Sequence, residues 1–237
     1  MTKLTERLKA IAGEIRKGET AADIGTDHGY LPLYLYEKKI SPKVIMTDLS
    51  PHSLNKAKTN FALIFPGRVF DLRVGDGLDV LAPGEVDNIV AAGMGGLLIK
   101  DMLDWDIGKT RSFRRLILQP RNNVGRLMRW LDLNGFDVTK YQIVKEAERY
   151  CEIITASPGT KNVSEISEAE YDFPDLLMQT GGPLTTEYLR FHLNRESVIL
   201  NKTACGRTSE NDGDDPVKSI RFRRIERIRE LLAETEL

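Results

Sequence analysis

Only two cysteines occur in the 237 residues, Cys151 and Cys205, far apart and without His or Cys neighbours at metal-ligand spacing. Neither a disulfide framework nor a zinc site is expected, and both thiols read as reduced bystanders. No apolar run reaches the roughly 18 residues that would mark a membrane span. The first 17 residues mix Lys, Arg and Glu at helical spacing, unlike the charged head, apolar run and cleavage site of an export signal. A cytoplasmic location is the expectation. The chain also lacks G-x-G-x-x-G spacing, a Walker lysine and internal repeats. Excess charge of one sign is missing too: 34 Lys and Arg oppose 35 Asp and Glu, a formal net charge of -1, so the molecule as a whole has no strong pull on phosphate.

What is present is ordinary globular material, 41% hydrophobic and 29% charged, enough for one large core and a small second unit. The charge is unevenly spread. Lys218, Arg221, Arg223, Arg224, Arg227 and Arg229 crowd one segment, partly masked in the total by Glu210, Asp212, Asp214 and Asp215 just before it.

Leu4, Leu8, Ile11 and Ile15 recur at helical spacing, which predicts an amphipathic helix over 3–16 ending near Gly18. Strands follow at 20–25, 43–47, 69–74, 87–92 and 114–119. Helices are expected at 30–37, 51–64, 95–104 and 123–134, the second opened by Ser50 as N-cap and Pro51 at the first position. The strands are short apolar runs without alternation, as in parallel strands covered on both faces, so a doubly wound α/β sheet is predicted. Residues 137–145 and 150–157 have no helix between them and should form two antiparallel strands completing the sheet, seven strands in all.

Beyond Ser157 the pattern changes. A polar stretch leads to predicted helices over 184–203 and 217–235, with Leu184, Tyr188, Phe191 and Val198 on the inner face of one and Phe222, Ile225, Ile228 and Leu232 on that of the other. An antiparallel helical hairpin is the economical reading. The expected division is thus 1–160 for a Rossmann-like unit and 161–237 for a C-terminal helical, coiled-coil-like unit.

The predicted first strand ends in Asp23-Ile24-Gly25-Thr26-Asp27-His28-Gly29-Tyr30 and runs into a helix, the place where doubly wound sheets bind nucleotides. Gly25 and Gly29 permit a sharp turn and close backbone approach. Asp48 ends the second strand, placed to accept hydrogen bonds from ribose hydroxyls, although it could simply cap the next helix. Asp76, before Gly77, could bond an adenine amino group. That geometry fits a dinucleotide as well as S-adenosylmethionine, and charge separates them. Asp23 and Asp27 would repel a pyrophosphate but attract an ammonium and a sulfonium. His28 reads equally as a structural hydrogen bonder or a site residue. Gly93-Met94-Gly95-Gly96 suits backbone lying against a reacting methyl, or is only a turn, and Met94 could be core.

The motifs Asp23-Ile24-Gly25-Thr26-Asp27-His28-Gly29-Tyr30-Leu31-Pro32, Ala91-Ala92-Gly93-Met94-Gly95-Gly96 and Leu118-Gln119-Pro120 together resemble the bacterial TrmK family, the tRNA (adenine-N1)-methyltransferases. The resemblance spans nearly the whole chain and weakens after Ser157. It implies a class I methyltransferase fold, S-adenosyl-L-methionine as cofactor, no metal, and methylation of N1 of adenine 22 in the D-arm region of tRNA. Expected cofactor contacts are Asp23, Gly25, Asp27, His28, Gly29, Tyr30, Leu31, Asp48, Leu49, Asp76, Gly77, Ala92, Gly93 and Met94. Asp27, Gln119 and Pro120 are the expected catalytic positions, with Asp27 or Gln119 offsetting charge on the product base. Arg121-Asn122 lacks the aromatic of the Asn-Pro-Pro-Tyr motif, so no base-stacking residue is named. Arg121, Arg126 and Arg129 at the rim, and Arg221, Arg224 and Arg227 beyond, are expected to grip RNA, or else to line a solvated face. A monomer is favoured. The rival readings are a methyltransferase for a small molecule or protein, and a non-catalytic sensor of the cofactor or RNA.

Overall fold

The computed structural model describes residues 2–160, 166–179, 181–205 and 216–235. The elements run α1 (Glu6–Gly13), β1 (Ala21–Ile24), α2 (Tyr30–Glu37), β2 (Val44–Asp48), α3 (Pro51–Ile64), β3 (Asp71–Val74), β4 (Asn88–Met94), α4 (Gly96–Asp104), α5 (Ile107–Ser112), β5 (Arg115–Pro120), α6 (Val124–Leu133), β6 (Phe136–Glu146) and β7 (Arg149–Pro158). Four helices follow: α7 (Glu168–Asp172), α8 (Leu176–Gln179), α9 (Pro183–Cys205) and α10 (Pro216–Glu234). The acidic residues Glu210, Asp212, Asp214 and Asp215 lie outside the described residues.

Seven strands form one sheet in the order β3-β2-β1-β4-β5-β7-β6. The first five are parallel, and β7 pairs antiparallel with both β5 and β6. Chain order reverses between β1 and β4, which opens a crevice at the carboxyl ends of these strands. Alternate strand residues feed two layers. Ala22, Ile24, Ile89, Ala91, Leu116 and Leu118 pack with α4 and α6, whereas Ala21, Val90 and Ile117 pack with α1 and α2. At the amino ends of the strands Arg115, nearly buried, donates to Glu19 Oε2 at 2.8 Å and to Asn88 Oδ1 at 2.9 Å, tying three segments together away from the crevice. Burial pushes the Glu19 carboxyl up, but its bonds to Arg115 and Asn88 outweigh that and hold it below the usual range.

Ser50 caps α3 and Pro51 begins it, as predicted, with the Ser53 amide donating to Ser50 Oγ at 3.4 Å. The first helix is shorter than its apolar spacing suggests, and α5, α7 and α8 lack the length for any periodicity to show. A capping box between Ser167 and Glu170 starts α7. The long helices α9 and α10 do pair, but not on all the expected residues. Phe191, Val198 and Phe222 are 46%, 44% and 50% exposed, while Leu189, Ile225, Ile228 and Leu231 are buried. The reason is that α9 packs on β6 as well as on α10, and α10 on α7, so each helix turns a second face inward.

The sheet's core continues through these helices. Tyr171, Phe173, Leu177, Tyr188, Leu189, Ile228 and Leu231 belong to the same apolar cluster as Leu116 and Leu127. Glu152 on β7 fixes the join: partly buried, it accepts the hydroxyls of Tyr141 at 2.5 Å and Tyr188 at 2.7 Å. Burial pushes its carboxyl up, partly countered by these two bonds.

Candidate active site

The crevice holds a cleft of about 220 Å³ lined by Ile24, Gly25, Thr47, Asp48, Leu49, Gly75, Asp76, Gly77, Met94, Leu98 and Met102. These come from the carboxyl ends of β1 to β4, from the turns after them, and, for Leu98 and Met102, from α4. The lining includes two carboxylates and no Lys or Arg. An anionic pyrophosphate would meet only repulsion from its walls, and a cationic ligand attraction.

Backbone strain shapes the loop over the cleft. Gly25, Asp27 and Gly29 all have positive φ, at 72°, 46° and 69°. The φ of Gly25 favours glycine, and a Cβ there would stand 2.5 Å from Met94 Cε and push that side chain aside. Asp48 braces the loops around the cleft: Oδ1 accepts from the Ser50 amide at 2.8 Å and Oδ2 from the Asp27 amide at 3.3 Å, while Ser50 caps the next helix. Asp23 is 7% exposed and accepts the Thr26 hydroxyl at 2.6 Å. Burial pushes its carboxyl up to about 6, against the Thr26 bond and the positive charge of Arg7. Thr47, whose buried hydroxyl has no hydrogen-bond partner, lines the same wall.

Other expected positions sit around the cleft rather than in it. Asp27 turns its carboxylate outward, 3.5 Å from Lys56 Nζ and 3.4 Å from His28 Nε2. The rings of His28 and Tyr30 stack at 5.3 Å, and Tyr30 is 46% exposed. Leu31 is buried in α2. Ala92 and Gly93 continue β4 to the rim, where Gly93 has φ 78°.

Gln119 has an occupation that its sequence position does not disclose. It is buried, its Oε1 accepts from both the Gly93 amide at 3.1 Å and Arg7 Nη1 at 3.0 Å, and its Nε2 donates to the Pro120 carbonyl at 2.9 Å. Its amide therefore clamps the β4 rim to β5, and its carbonyl oxygen is already shared. Pro120 pairs with Met94 across the strands. Arg7 is the site residue that sequence reasoning missed. It reaches the rim from α1, 112 residues away from Gln119, and its Nε also meets Glu146 at 3.3 Å.

The expected RNA-gripping arginines divide into two groups. Arg121, Arg126 and Arg129 are exposed, with no side-chain hydrogen bond or ion pair among the described residues. Arg221 and Arg224 instead pair at 2.6 Å with Glu196 and Asp172, and Arg227 pairs with Asp175 and donates to the Phe173 carbonyl at 3.1 Å. These three tie α10 to α9, to α7 and to the turn after it. Asp172 is pushed up by burial, with Arg224 opposing.

Residues 4–154 match the family model for a methyltransferase domain. The Bacillus subtilis tRNA (adenine(22)-N(1))-methyltransferase is 32% identical over 162 residues, 68% of this chain and 68% of that protein. The crystal structure of the B. subtilis m1A22 tRNA methyltransferase TrmK superposes with a TM-score of 0.84 at 26% identity, covering 98% of this chain and all of the other. A Streptococcus pneumoniae protein solved with S-adenosyl-L-methionine superposes with a TM-score of 0.82 at 25% identity, covering 97% of this chain and all of that one. The carboxylate-lined, cation-free cleft fits that cofactor, and no helix among the described residues is long and apolar enough to cross a membrane. The chain has the class I methyltransferase fold, uses S-adenosyl-L-methionine, and belongs to the TrmK family of tRNA (adenine(22)-N(1))-methyltransferases.

Proposed function

We propose that this protein methylates N1 of adenine 22 in tRNA, acting as a cytoplasmic monomer whose unit over 1–160 carries the chemistry and whose unit over 161–237 helps hold the RNA. The observation that carries the reading is a cleft with acidic walls at the strand ends, its lining reaching Met94 at the end of β4. Asp48 and Asp76 are suited to ribose hydroxyls and an adenine amino group, and the loop from Gly25 to Gly29, backed by Asp23, to the amino-acid end. When bound, the cofactor supplies an electrophilic methyl group.

Adenine N1 attacks through an in-plane lone pair that bears no proton, so no strong general base is needed. The protein's contribution is alignment, which is worth on the order of 7 to 11 kcal/mol when two reactants are held in line. Gln119 serves this by fixing the Gly93 amide, and Pro120 by stiffening the adjoining strand end. Asp27 shapes the loop through its positive φ, and its outward carboxylate would have to leave Lys56 and His28 to meet the charge of a cationic product. In a paired stem the N1 edge is hidden, so the target must leave its stack, at a cost of a few kcal/mol. The exposed Arg121, Arg126 and Arg129 then hold the backbone.

The test is incubation with labelled cofactor and tRNA, followed by primer extension. Label in tRNA and a stop at adenine 22 are expected. Labelled protein or small molecule with unlabelled tRNA overturns the substrate, and cofactor binding without turnover on any tRNA overturns the enzyme.

A further inference from the structure

Two guanidinium groups converge on one point of the rim. A Cβ built on Gly93 would have Arg121 Nη2 and Arg7 Nη1 each 3.9 Å away, and Arg121 Nε at 4.0 Å. They come from different elements, Arg7 from α1 and Arg121 from the turn after β5. Arg7 is fixed by Gln119, pairs with Glu146 at 3.3 Å, and also acts through its charge on the buried Asp23. Arg121 is exposed, with no side-chain partner among the described residues. Glu146 and Asp23 offset the charge of Arg7, but the exposed Arg121 guanidinium has no carboxylate partner among the described residues and leaves positive charge at this spot. This arrangement is stabilised by an anion between them. Guanidinium forks match phosphate oxygens through charge-assisted bonds of about 2.7–2.9 Å, and a phosphate presents enough oxygens to serve both.

We propose that Arg7 and Arg121 form a two-sided grip for one backbone phosphate of the target nucleotide, seated over Gly93 beside the cleft. This deepens the reading of the substrate given above and rests on it. Gly93, whose φ of 78° already favours glycine, keeps this seat free of a side chain that would touch both guanidiniums. It also gives α1 a part in the reaction: the helix delivers one jaw, and Gln119 aligns that jaw with the strand ends.

The experiment uses tRNA assembled by ligation with a single uncharged methylphosphonate on the 5′ or the 3′ side of adenine 22. Equilibrium tRNA binding and single-turnover methyl transfer are measured for the wild type, Arg7→Gln, Arg121→Gln and the double variant, with cofactor affinity measured by calorimetry. Each single variant should weaken tRNA binding on the order of tenfold, the worth of a charge-assisted hydrogen bond, with cofactor affinity unchanged in Arg121→Gln. One of the two methylphosphonates should cost the wild type a similar factor and cost the double variant nothing more. Equal sensitivity of wild type and double variant to both methylphosphonates, or a loss confined to cofactor affinity, overturns the grip. If the wild type methylates no tRNA, the substrate reading fails separately. The grip is then judged by salt: the slope of log affinity against log salt must shallow by about 0.7 to 0.9 in the double variant, and an unchanged slope sinks it. The Arg121 side chain has no hydrogen-bond or ion-pair partner among the described residues, so Arg121→Gln alone carries the test if Arg7→Gln melts early.

Discussion

Asp23 should make the empty protein less stable and the cofactor complex more so. A carboxyl with an ordinary value of 3.8 is pushed to about 6 by full burial. At about 1.36 kcal/mol per unit, holding it ionised at pH 7.5 costs the fold about 3 kcal/mol. The sign follows from the raised value. The folded chain keeps a proton that the unfolded chain gives up, so this group's favourable contribution is complete below pH 3.8 and lost as pH rises through 6. Asp23→Asn, which can still accept the Thr26 hydroxyl, should therefore stabilise the cofactor-free protein at pH 7.5 by up to about 3 kcal/mol and change little at pH 4. A cationic ligand favours the ionised form, so the wild type should release close to half a proton on binding S-adenosyl-L-methionine at pH 6. The variant should release none and bind more weakly. Melting curves against pH, with calorimetry in two buffers of different ionisation enthalpy, measure both. An Asn variant no more stable than the wild type at pH 7.5, together with binding heats independent of buffer, would refute the reasoning.

Gly25→Ala should cost about 1 kcal/mol of stability from its positive φ and reduce cofactor affinity on the order of tenfold as Met94 is displaced, seen by melting and calorimetry. Glu19→Gln leaves the Arg115 charge buried without its carboxylate, so a loss of about 3–5 kcal/mol in chemical denaturation is expected. Because the Glu19 carboxyl is held low, the wild type should keep this contribution above pH 4.5 and lose it as pH falls through the lowered value, which the variant will not do. Arg224→Gln should destabilise by about 1–3 kcal/mol through the loss of Asp172, whereas Arg126→Gln should leave melting unchanged and weaken tRNA binding in filter assays. A merely structural role for the α10 arginines predicts that their tRNA losses track their stability losses.

The alternation of strands and helices was legible because buried parallel strands are continuous apolar runs, and because Ser50-Pro51 marks a helix start by chemistry alone. The cleft was legible as well, since Asp23, Gly25, Asp48 and Asp76 each sit at a strand end or just beyond it. Helix α5, from Ile107 to Ser112, has too few turns for a period to register. Helix α7 did carry a signal, the Ser167 to Glu170 capping pair, which a search for start signatures finds. The inner faces of α9 and α10 could not be read because each meets two partners, so Phe191 and Phe222 look as apolar as the residues that are buried. Arg7 was invisible for a different reason. Its meaning depends on a contact with Gln119 that no local spacing encodes.

The apolar cluster that runs from the strands into the last four helices has a consequence for any attempt to shorten the protein. A chain cut after Pro158 would expose the surface that Tyr171, Phe173, Leu177 and Tyr188 now cover, and would leave Glu152 with one hydroxyl fewer in a site made wet. No minimal methyltransferase is waiting inside this one to be released by truncation; the tail is a wall of the house that the chemistry lives in.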